Sequence, residues 1–298
     1  MRFSFWPTPS LEYSETLALA QHAAETGWDG VWLADHFMPN AEDTSTPWPE
    51  AWTTLAALAA TVPRVRLGTL VTGNTYRHPA VLAKMAATVD HISGGRLVLG
   101  LGSGWQENEH TQYGIEFATF GQRLARLDEA CQIIRSLFSE EKSSFAGRYY
   151  TLDDASLEPK PVQSPLPLLI GGGGEKVTLK ITAKYADEWN VWGEPDLLRH
   201  KMRILDQHCE SVGRDPAEIQ RSAVALLFMN EDPSKNELLR NSGIERPSII
   251  GSAAEVAEIV AEYEAAGVNE LIVPDFTLGK HDQKIATMDR FMAEVANR

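Results

Sequence analysis

The chain has 298 residues, 43% hydrophobic and 23% charged, with 41 acidic against 27 basic side chains and a formal charge of −14. This is the composition of a folded globular protein, which excludes disordered and fibrous chains. So acidic a surface argues against binding to nucleic acid or anionic lipid, because both are bound through clusters of Lys and Arg.

The chain carries no signal for a membrane or an oxidising compartment. No stretch approaches about 18 consecutive apolar residues, and the first residues lack the apolar region of a signal peptide. Cys131 and Cys209 lie in predicted helices and suggest neither a disulfide framework nor a zinc site. We therefore expect a cytoplasmic protein.

Short apolar runs alternate along the chain with longer segments of helical periodicity. The predicted strands are Arg2–Trp6, Gly30–Ala34, Val65–Val71, Leu97–Leu101, Pro167–Gly171, Glu188–Trp192, Ser222–Met229 and Glu270–Pro274. The predicted helices are Ser14–Thr26, Pro49–Thr61, Pro79–Ile92, Gln122–Phe138, Glu175–Tyr185, Pro195–Val212, Ala253–Ala266 and His281–Ala296.

This alternation predicts parallel β-α units, about 37 residues each over the 298-residue chain. The predicted fold is an α/β (β/α)8 TIM barrel, a single domain over residues 1–298; a doubly wound sheet is the alternative, but no dinucleotide fingerprint supports it. Polar, proline-bearing insertions are predicted at about 139–165 and 230–250, at the face of the barrel where loops carry the chemistry.

Two glycine-rich turns follow predicted strands. Gly100-Leu101-Gly102-Ser103-Gly104-Trp105 fits neither G-x-G-x-x-G nor G-x-S-x-G, so it is either a tight turn or a place where backbone approaches a ligand. Gly171-Gly172-Gly173-Gly174 precedes a predicted helix, an arrangement of backbone N–H groups suited to phosphate. It lacks the G-K-S/T of a nucleoside-triphosphate loop.

Asp35-His36 ends the second predicted strand, where a barrel places its active-site side chains. His36 is the candidate acid–base residue, with the Asp35 carboxylate able to orient or charge its ring. Glu107, Glu109 and His110 are predicted to lie together in a loop, and no metal site is predicted.

Several tryptophans fall at or near strand ends, where they either wall a pocket for a planar ligand or seal the barrel top. The four that we predict to contact a substrate are Trp6, Trp48, Trp105 and Trp192.

Taken in order, these segments resemble the luciferase-like monooxygenase superfamily, and within it the oxidoreductases that depend on a deazaflavin, coenzyme F420. The resemblance is strong over about residues 1–230. It is carried by Gly30–His36, Leu67–Thr72, Tyr76–Pro79, Leu82–Lys84, Val89–Arg96, Gly100–Trp105 with Glu109 and Gly114, Arg123, Glu129, Gly147 with Tyr149 and Tyr150, Pro159–Gln163, the glycine run and Tyr185–Asp187.

The resemblance implies a (β/α)8 barrel that binds 8-hydroxy-5-deazaflavin at its carboxyl face and transfers hydride to or from a small organic substrate. His36 would lie beside the reactive face of the ring as proton donor or acceptor. A non-prolyl cis peptide is expected around Leu70–Thr72, behind the ring. The implied cofactor contacts are Asp35, Leu70, Val71, Thr72, Gly102, Ser103, Gly104, Gly172, Gly173 and Gly174, the last three holding phosphate.

In one respect the chain departs from the sugar-phosphate dehydrogenases of this group, which carry a glutamate where Trp105 stands. Their acid–base pair is incomplete here, which argues against a glucose-phosphate substrate. Two alternatives stay open: a monooxygenase that uses reduced FMN, and a non-catalytic protein that only binds a cofactor. A homodimer is conceivable, with Ala56, Ala57, Ala59 and Ala60 packed against a second copy.

Overall fold

A computed structural model describes residues 1–296 of the chain. Its strands are β1 (Arg2–Trp6), β2 (Gly30–Asp35), β3 (Arg66–Gly73), β4 (Leu97–Gly102), β5 (Ser143–Ala146), β6 (Thr151–Ala155), β7 (Leu168–Gly171), β8 (Glu188–Trp192), β9 (Gln220–Val224), β10 (Leu226–Met229), β11 (Ser248–Gly251) and β12 (Glu270–Pro274).

The helices lie between the strands, mostly on the outside. They are α1 (Tyr13–Thr26), α2 (Ala51–Thr61), α3 (Pro79–Ser93), α4 (Glu107–Tyr113), α5 (Phe120–Ser139), α6 (Thr178–Tyr185), α7 (Pro195–Ser211), α8 (Pro233–Arg240), α9 (Ala253–Ala265) and α10 (His281–Phe291), the last continued by a π-helical turn, Met292–Ala296. None of the helices in residues 1–296 has the length and apolar character needed to cross a bilayer.

Eight parallel strands close into a barrel in the order β1-β12-β9-β8-β7-β4-β3-β2. The ring closes between β1 and β12, with Arg2 paired to Glu270 and Trp6 to Pro274. The predicted (β/α)8 barrel is therefore confirmed. Its strand order places the residues that follow each strand around one common face, where barrels of this kind carry their chemistry.

The opposite, amino-terminal end of the barrel is held by the buried carboxylate of Glu270. It accepts hydrogen bonds from the Ser4 hydroxyl at 2.5 Å and the Trp32 indole at 2.9 Å, and pairs with Arg66 at 2.8 Å. Arg66 also bonds Glu188. One charged network thus joins β1, β2, β3, β8 and β12, since a buried charge must be paired to be tolerated.

At the carboxyl end, β3 carries an irregularity that sets the shape of the site. The peptide bond between Leu70 and Val71 is cis, as expected, and the pairing of β3 with β4 shifts register between Gly68 and Thr72. A Cβ at Gly102 or Gly171 would lie 2.8 Å from a methyl of Val71. Glycines on β4 and β7 therefore make room for the Val71 side chain.

Three predictions about local structure are wrong. The predicted strand Ser222–Met229 is two strands: β9 stays in the barrel, whereas β10 runs beyond it and pairs with β11. Helix α6 begins at Thr178 and not at Glu175, because the turn after the glycines extends to Val177. Glu107, Glu109 and His110 lie in helix α4 and not in a loop.

The two predicted insertions have structure of their own. Residues 139–165 contain the antiparallel hairpin β5–β6, and residues 230–250 contain α8 and the start of β11. Of the alanines considered for a subunit contact, Ala59 is buried within the chain at 2% exposure and is not available to a second copy.

Gly100 offers a test of the packing between β3 and β4. A Cβ at this position would lie 1.8 Å from the backbone oxygen of Thr69, so Gly100→Ala must displace backbone. We expect the free energy of unfolding to fall by at least about 2 kcal/mol, measured by urea denaturation. The matched control is Gly121→Ala in α5, where no atom lies within 4 Å of the added Cβ. Equal stability of the two variants would contradict this description of the β3–β4 contact.

Candidate active site

A cavity of about 630 Å³ opens at the carboxyl face of the barrel. This volume lies within the range of small-molecule and cofactor sites, which are mostly apolar with a few polar groups. The lining residues are Trp6, Pro9, Ala34, His36, Asn40, Trp48, Leu70, Val71, Gly73, Tyr76, Gly104, Trp105, Gln106, Gly171, Gly172, Asn190, Val191, Trp192, Arg246 and Phe276.

His36 lines the cavity with its ring held from behind by Glu109. The His36 Nδ1 lies 2.9 Å from the Glu109 Oε1, and the backbone N–H of Phe37 donates to Oε2 at 2.8 Å. The Tyr76 hydroxyl donates to the same Oε1. Because an ionised carboxylate can only accept, Nδ1 carries the hydrogen of this bond. No group in residues 1–296 bonds Nε2, which leaves that nitrogen for a ligand.

The carboxyl group of Glu109 stays ionised in this setting. Its burial raises its pKa, but the hydrogen bonds from His36, Tyr76 and the Phe37 amide together bring that pKa below the ordinary value of 4.5. The pKa of Tyr76 is raised, first by burial and then by the neighbouring Glu109 carboxylate, so the phenol keeps its proton and remains a donor.

Helix α4 places Glu109, and it is docked against the end of β2 and the loop after β3. The Gln106 side chain donates to the Met38 carbonyl at 2.8 Å, Asn108 donates to the Pro39 carbonyl at 2.9 Å, and the ring of His110 bonds the Thr75 hydroxyl at 2.7 Å. Glu109 and His110 are fully buried.

The sequence analysis missed this helix, although acidic residues in its first turn and Gly114 at its end were available signals.

Asp35 is buried and does not line the cavity, and the prediction that it orients the His36 ring is wrong, because Glu109 makes that contact. The Asp35 carboxylate pairs with the Arg77 guanidinium at 2.6 and 3.2 Å, and Arg77 also bonds Glu50.

Thr72, also buried, donates to Thr69 and accepts from the Trp52 indole at 2.9 Å. Asp35 and Thr72 thus support the ends of β2 and β3, whereas Leu70 and Val71 reach the cavity.

The two glycine-rich turns differ in how far they reach the cavity. Of Gly102, Ser103 and Gly104, only Gly104 lines it; its φ of +79° favours glycine. Of the second run, Gly172 lines it, but its N–H already donates to the Asn190 carbonyl at 2.9 Å. The amides of Gly173 and Gly174 donate to no acceptor within residues 1–296 and lie beyond the lining.

All four predicted tryptophans line the cavity, so the structure brings them together with His36. The ring of Trp6 lies 5.9 Å from that of Trp192 and 5.4 Å from that of Phe276, forming one continuous aromatic wall. Trp105 is 60% exposed at the mouth, with its ring 5.4 Å from that of His36. The sequence analysis did not single out Phe276, Tyr76 or Arg246.

Two lining tryptophans have buried indole N–H groups without an acceptor in the described part of the chain. These are Trp6 and Trp48. A buried donor without a partner costs free energy, so these two residues are strained by comparison with the hydrogen-bonded indoles of Trp32 and Trp52. Residues 1–296 contain no group of three or more His, Cys, Asp or Glu side chains arranged to hold a metal ion.

A parallel barrel with an apolar, tryptophan-lined cavity at its carboxyl face and a histidine just after β2 has the form of a cofactor-dependent enzyme. The model of the luciferase-like monooxygenase family matches residues 1–237. The chain belongs to that family.

Two curated relatives carry the name F420-dependent glucose-6-phosphate dehydrogenase. The protein of Amycolatopsis mediterranei is 40% identical over 184 residues, 61% of this chain and 51% of its own length. That of Kineococcus radiotolerans is 36% identical over 221 residues, 72% of this chain and 64% of its own length. The matches thus span about half to two thirds of these relatives.

Among solved structures, an F420-dependent secondary alcohol dehydrogenase bound to an F420–acetone adduct superimposes with a TM-score of 0.86. The two chains share 22% identity, and the match covers 99% of this chain and 98% of the other. This likeness establishes a common fold.

Glu109→Gln tests whether this carboxylate organises the site. The amide supplies one acceptor oxygen where the carboxylate supplies two, so at least one of the His36, Tyr76 and Phe37 donors loses its acceptor. We expect the free energy of unfolding at neutral pH to fall by about 1–3 kcal/mol in urea denaturation. The control is Glu107→Gln, on the exposed side of the same helix.

The same pair of variants has a defined pH dependence. Because the pKa of Glu109 is lower in the folded than in the unfolded chain, its carboxylate stabilises the fold above its ordinary pKa of 4.5. That contribution is lost as the pH falls through the folded-state pKa. The stability gap between wild type and Glu109→Gln should therefore shrink in acid. A gap independent of pH, or one equal to that of Glu107→Gln, would contradict the assignment.

Proposed function

We propose that this protein is an oxidoreductase that transfers hydride between coenzyme F420 and a small organic substrate. The observation that carries the proposal is the His36 imidazole, held by Glu109 through Nδ1 with its other nitrogen left for a ligand, inside an aromatic cavity. The family of the chain and the names of its curated relatives support the choice of cofactor.

The residues present fit a planar, tricyclic cofactor. The cavity volume of about 630 Å³ suffices for such a ring with part of its side chain, and the walls are largely apolar, with four tryptophans among the lining residues. The unengaged amides of Gly173 and Gly174 offer donors to a phosphate, with Gly172 and Gly104 giving close backbone approach.

We assign each predicted contact a role on this basis. Leu70 and Val71, which flank the cis peptide and reach the cavity, would support one face of the ring. Asp35 and Thr72 would act from beneath, by fixing the ends of β2 and β3. Gly102 and Ser103 would shape the turn that Gly104 presents to the cavity.

The deazaflavin, when bound, supplies the carbon that gives or accepts hydride. The chain supplies orientation and the accompanying proton. Glu109 fixes the tautomer of His36 by accepting from Nδ1, so Nε2 is the atom that donates a proton to the reduced substrate or accepts one in the oxidative direction. Trp105 and the aromatic wall exclude water from the reacting atoms.

Titration of the purified protein with two cofactors tests the proposal. Coenzyme F420 is expected to bind and to quench tryptophan fluorescence, because tryptophans wall the cavity. FMN is expected to bind more weakly. Tight binding of FMN with none of F420 would instead indicate the flavin monooxygenase alternative, and binding of neither would overturn the proposal.

Substitution of His36 separates binding from chemistry. His36→Ala should bind F420 as the wild type does, yet lose turnover by about 100-fold or more, the usual effect of removing an acid–base group. Turnover is followed by F420 absorbance on the compound that wild type converts fastest in a panel of alcohols and carbonyl compounds. His281→Ala, at an exposed histidine at the start of α10, is the control and should keep full activity. Unchanged turnover in His36→Ala would remove His36 from the mechanism.

A further inference from the structure

The charge of the cavity is opposite to that of the protein. The chain carries 41 acidic residues, yet no Asp or Glu is among the described residues that line the cavity. Arg246 is the one Lys or Arg among them. In a protein with a formal charge of −14, a cavity with a guanidinium and without a carboxylate at its surface favours anionic ligands.

Arg246 is an exposed residue at the edge of the cavity, where it contacts Trp192 and is not neutralised. Its guanidinium lies 4.7 Å from the centre of the Trp192 ring, a cation–π contact that leaves the N–H groups of the guanidinium edge available. No acceptor in residues 1–296 takes a hydrogen bond from its side chain, and no carboxylate there forms an ion pair with it. Arg77, by contrast, which lies below the same face, is paired with Asp35 and Glu50.

The strand order places Arg246 across the cavity from His36. Trp192, beneath the guanidinium, ends β8, and His36 directly follows β2. In the closed ring β8 lies four strands from β2 in either direction, which is the opposite position. A ligand that spans the cavity therefore meets the imidazole at one end and the guanidinium at the other.

The space between these two ends is largely apolar, and the polar side chains of Tyr76, Gln106 and Asn190 that also line the cavity already donate hydrogen bonds within the chain. Trp6, Trp192 and Phe276 form the wall next to Arg246, and Leu70 and Val71 lie towards His36. A polyhydroxylated ligand would leave most of its hydroxyl groups without partners against such a surface, at a cost for each group. A ligand with an apolar ring or chain has no hydroxyl groups to leave without partners there, and the burial of its apolar surface favours binding.

We propose that the substrate has an apolar body and one anionic group, a carboxylate or a phosphate, and that Arg246 binds this group. A guanidinium recognises either anion through paired N–H donors. The proposal rests on the proposed function for the reaction at the His36 end, and it makes Arg246 the residue that selects the substrate. The cofactor's own phosphate is a second possible source of the same chemistry, and the experiment below separates the two.

The probes are benzoate and benzamide, which share a planar ring and differ in charge. Their affinities are measured by calorimetry on wild type, Arg246→Gln and Arg148→Gln, each free and saturated with F420. Arg148 is the matched control: it is exposed and lies 5.2 Å from the Tyr149 ring, outside the cavity lining. We expect wild type and Arg148→Gln to bind benzoate at least about fivefold more tightly than benzamide. Arg246→Gln should lose that preference.

The F420-saturated samples show whether Arg246 binds the anionic group of the substrate or the phosphate of the cofactor. If Arg246 serves the substrate, benzoate still binds the F420-loaded wild type, and Arg246→Gln binds F420 as tightly as wild type does. If F420 displaces benzoate and the variant loses F420 affinity, Arg246 serves the cofactor and the proposal is overturned. Equal affinities for benzoate and benzamide in the wild type also overturn it.

A failure of the proposed function would give a different set of results. In that case the wild type either does not bind F420 or binds it without turnover, whereas the comparison of benzoate with benzamide on the cofactor-free protein still decides whether Arg246 selects an anion.

Discussion

The site depends on one buried carboxylate. Glu109 gathers three donors that come from different parts of the chain: the His36 ring, the Phe37 amide after β2, and the Tyr76 hydroxyl after β3. Without this acceptor the His36 ring would lose the hydrogen bond that fixes its orientation, and an imidazole that turns does not present a fixed nitrogen to a ligand. The three donors keep Glu109 ionised despite its burial. The ionised carboxylate in turn holds the three donors in position around it.

The barrel places the contacts of Glu109 next to an open cavity. At its closed end, charged groups around Glu270 tie five strands together, so the other end can be occupied by a cavity. Near the cavity floor, Gly102 and Gly171 accept the side chain of Val71 where β3 departs from regular pairing. Within residues 1–296, no Asp or Glu lines the cavity. Its ionisable groups there are the Arg246 guanidinium on Trp192, the His36 imidazole and the protonated Tyr76 phenol.

The sequence was sufficient for the features that rest on local periodicity. Apolar strands such as Leu97–Leu101, alternating with amphipathic helices, predict the barrel, and the position of His36 directly after a strand predicts its place at the carboxyl face. Helix α4 escaped prediction because seven mostly polar residues show no helical periodicity, and its stability comes from contacts with Met38, Pro39 and Thr75. Arg246 escaped because its contact with Trp192 joins residues 54 positions apart, which no spacing rule reveals.

A crystal structure of the protein soaked with coenzyme F420 tests the central claim most directly. The account predicts that the tricyclic ring lies in the cavity against Leu70 and Val71, with the Nε2 atom of His36 directed at the side where substrate binds and Glu109 still bonded to Nδ1. A ring bound elsewhere on the protein, or an imidazole turned away from the cavity, would contradict it.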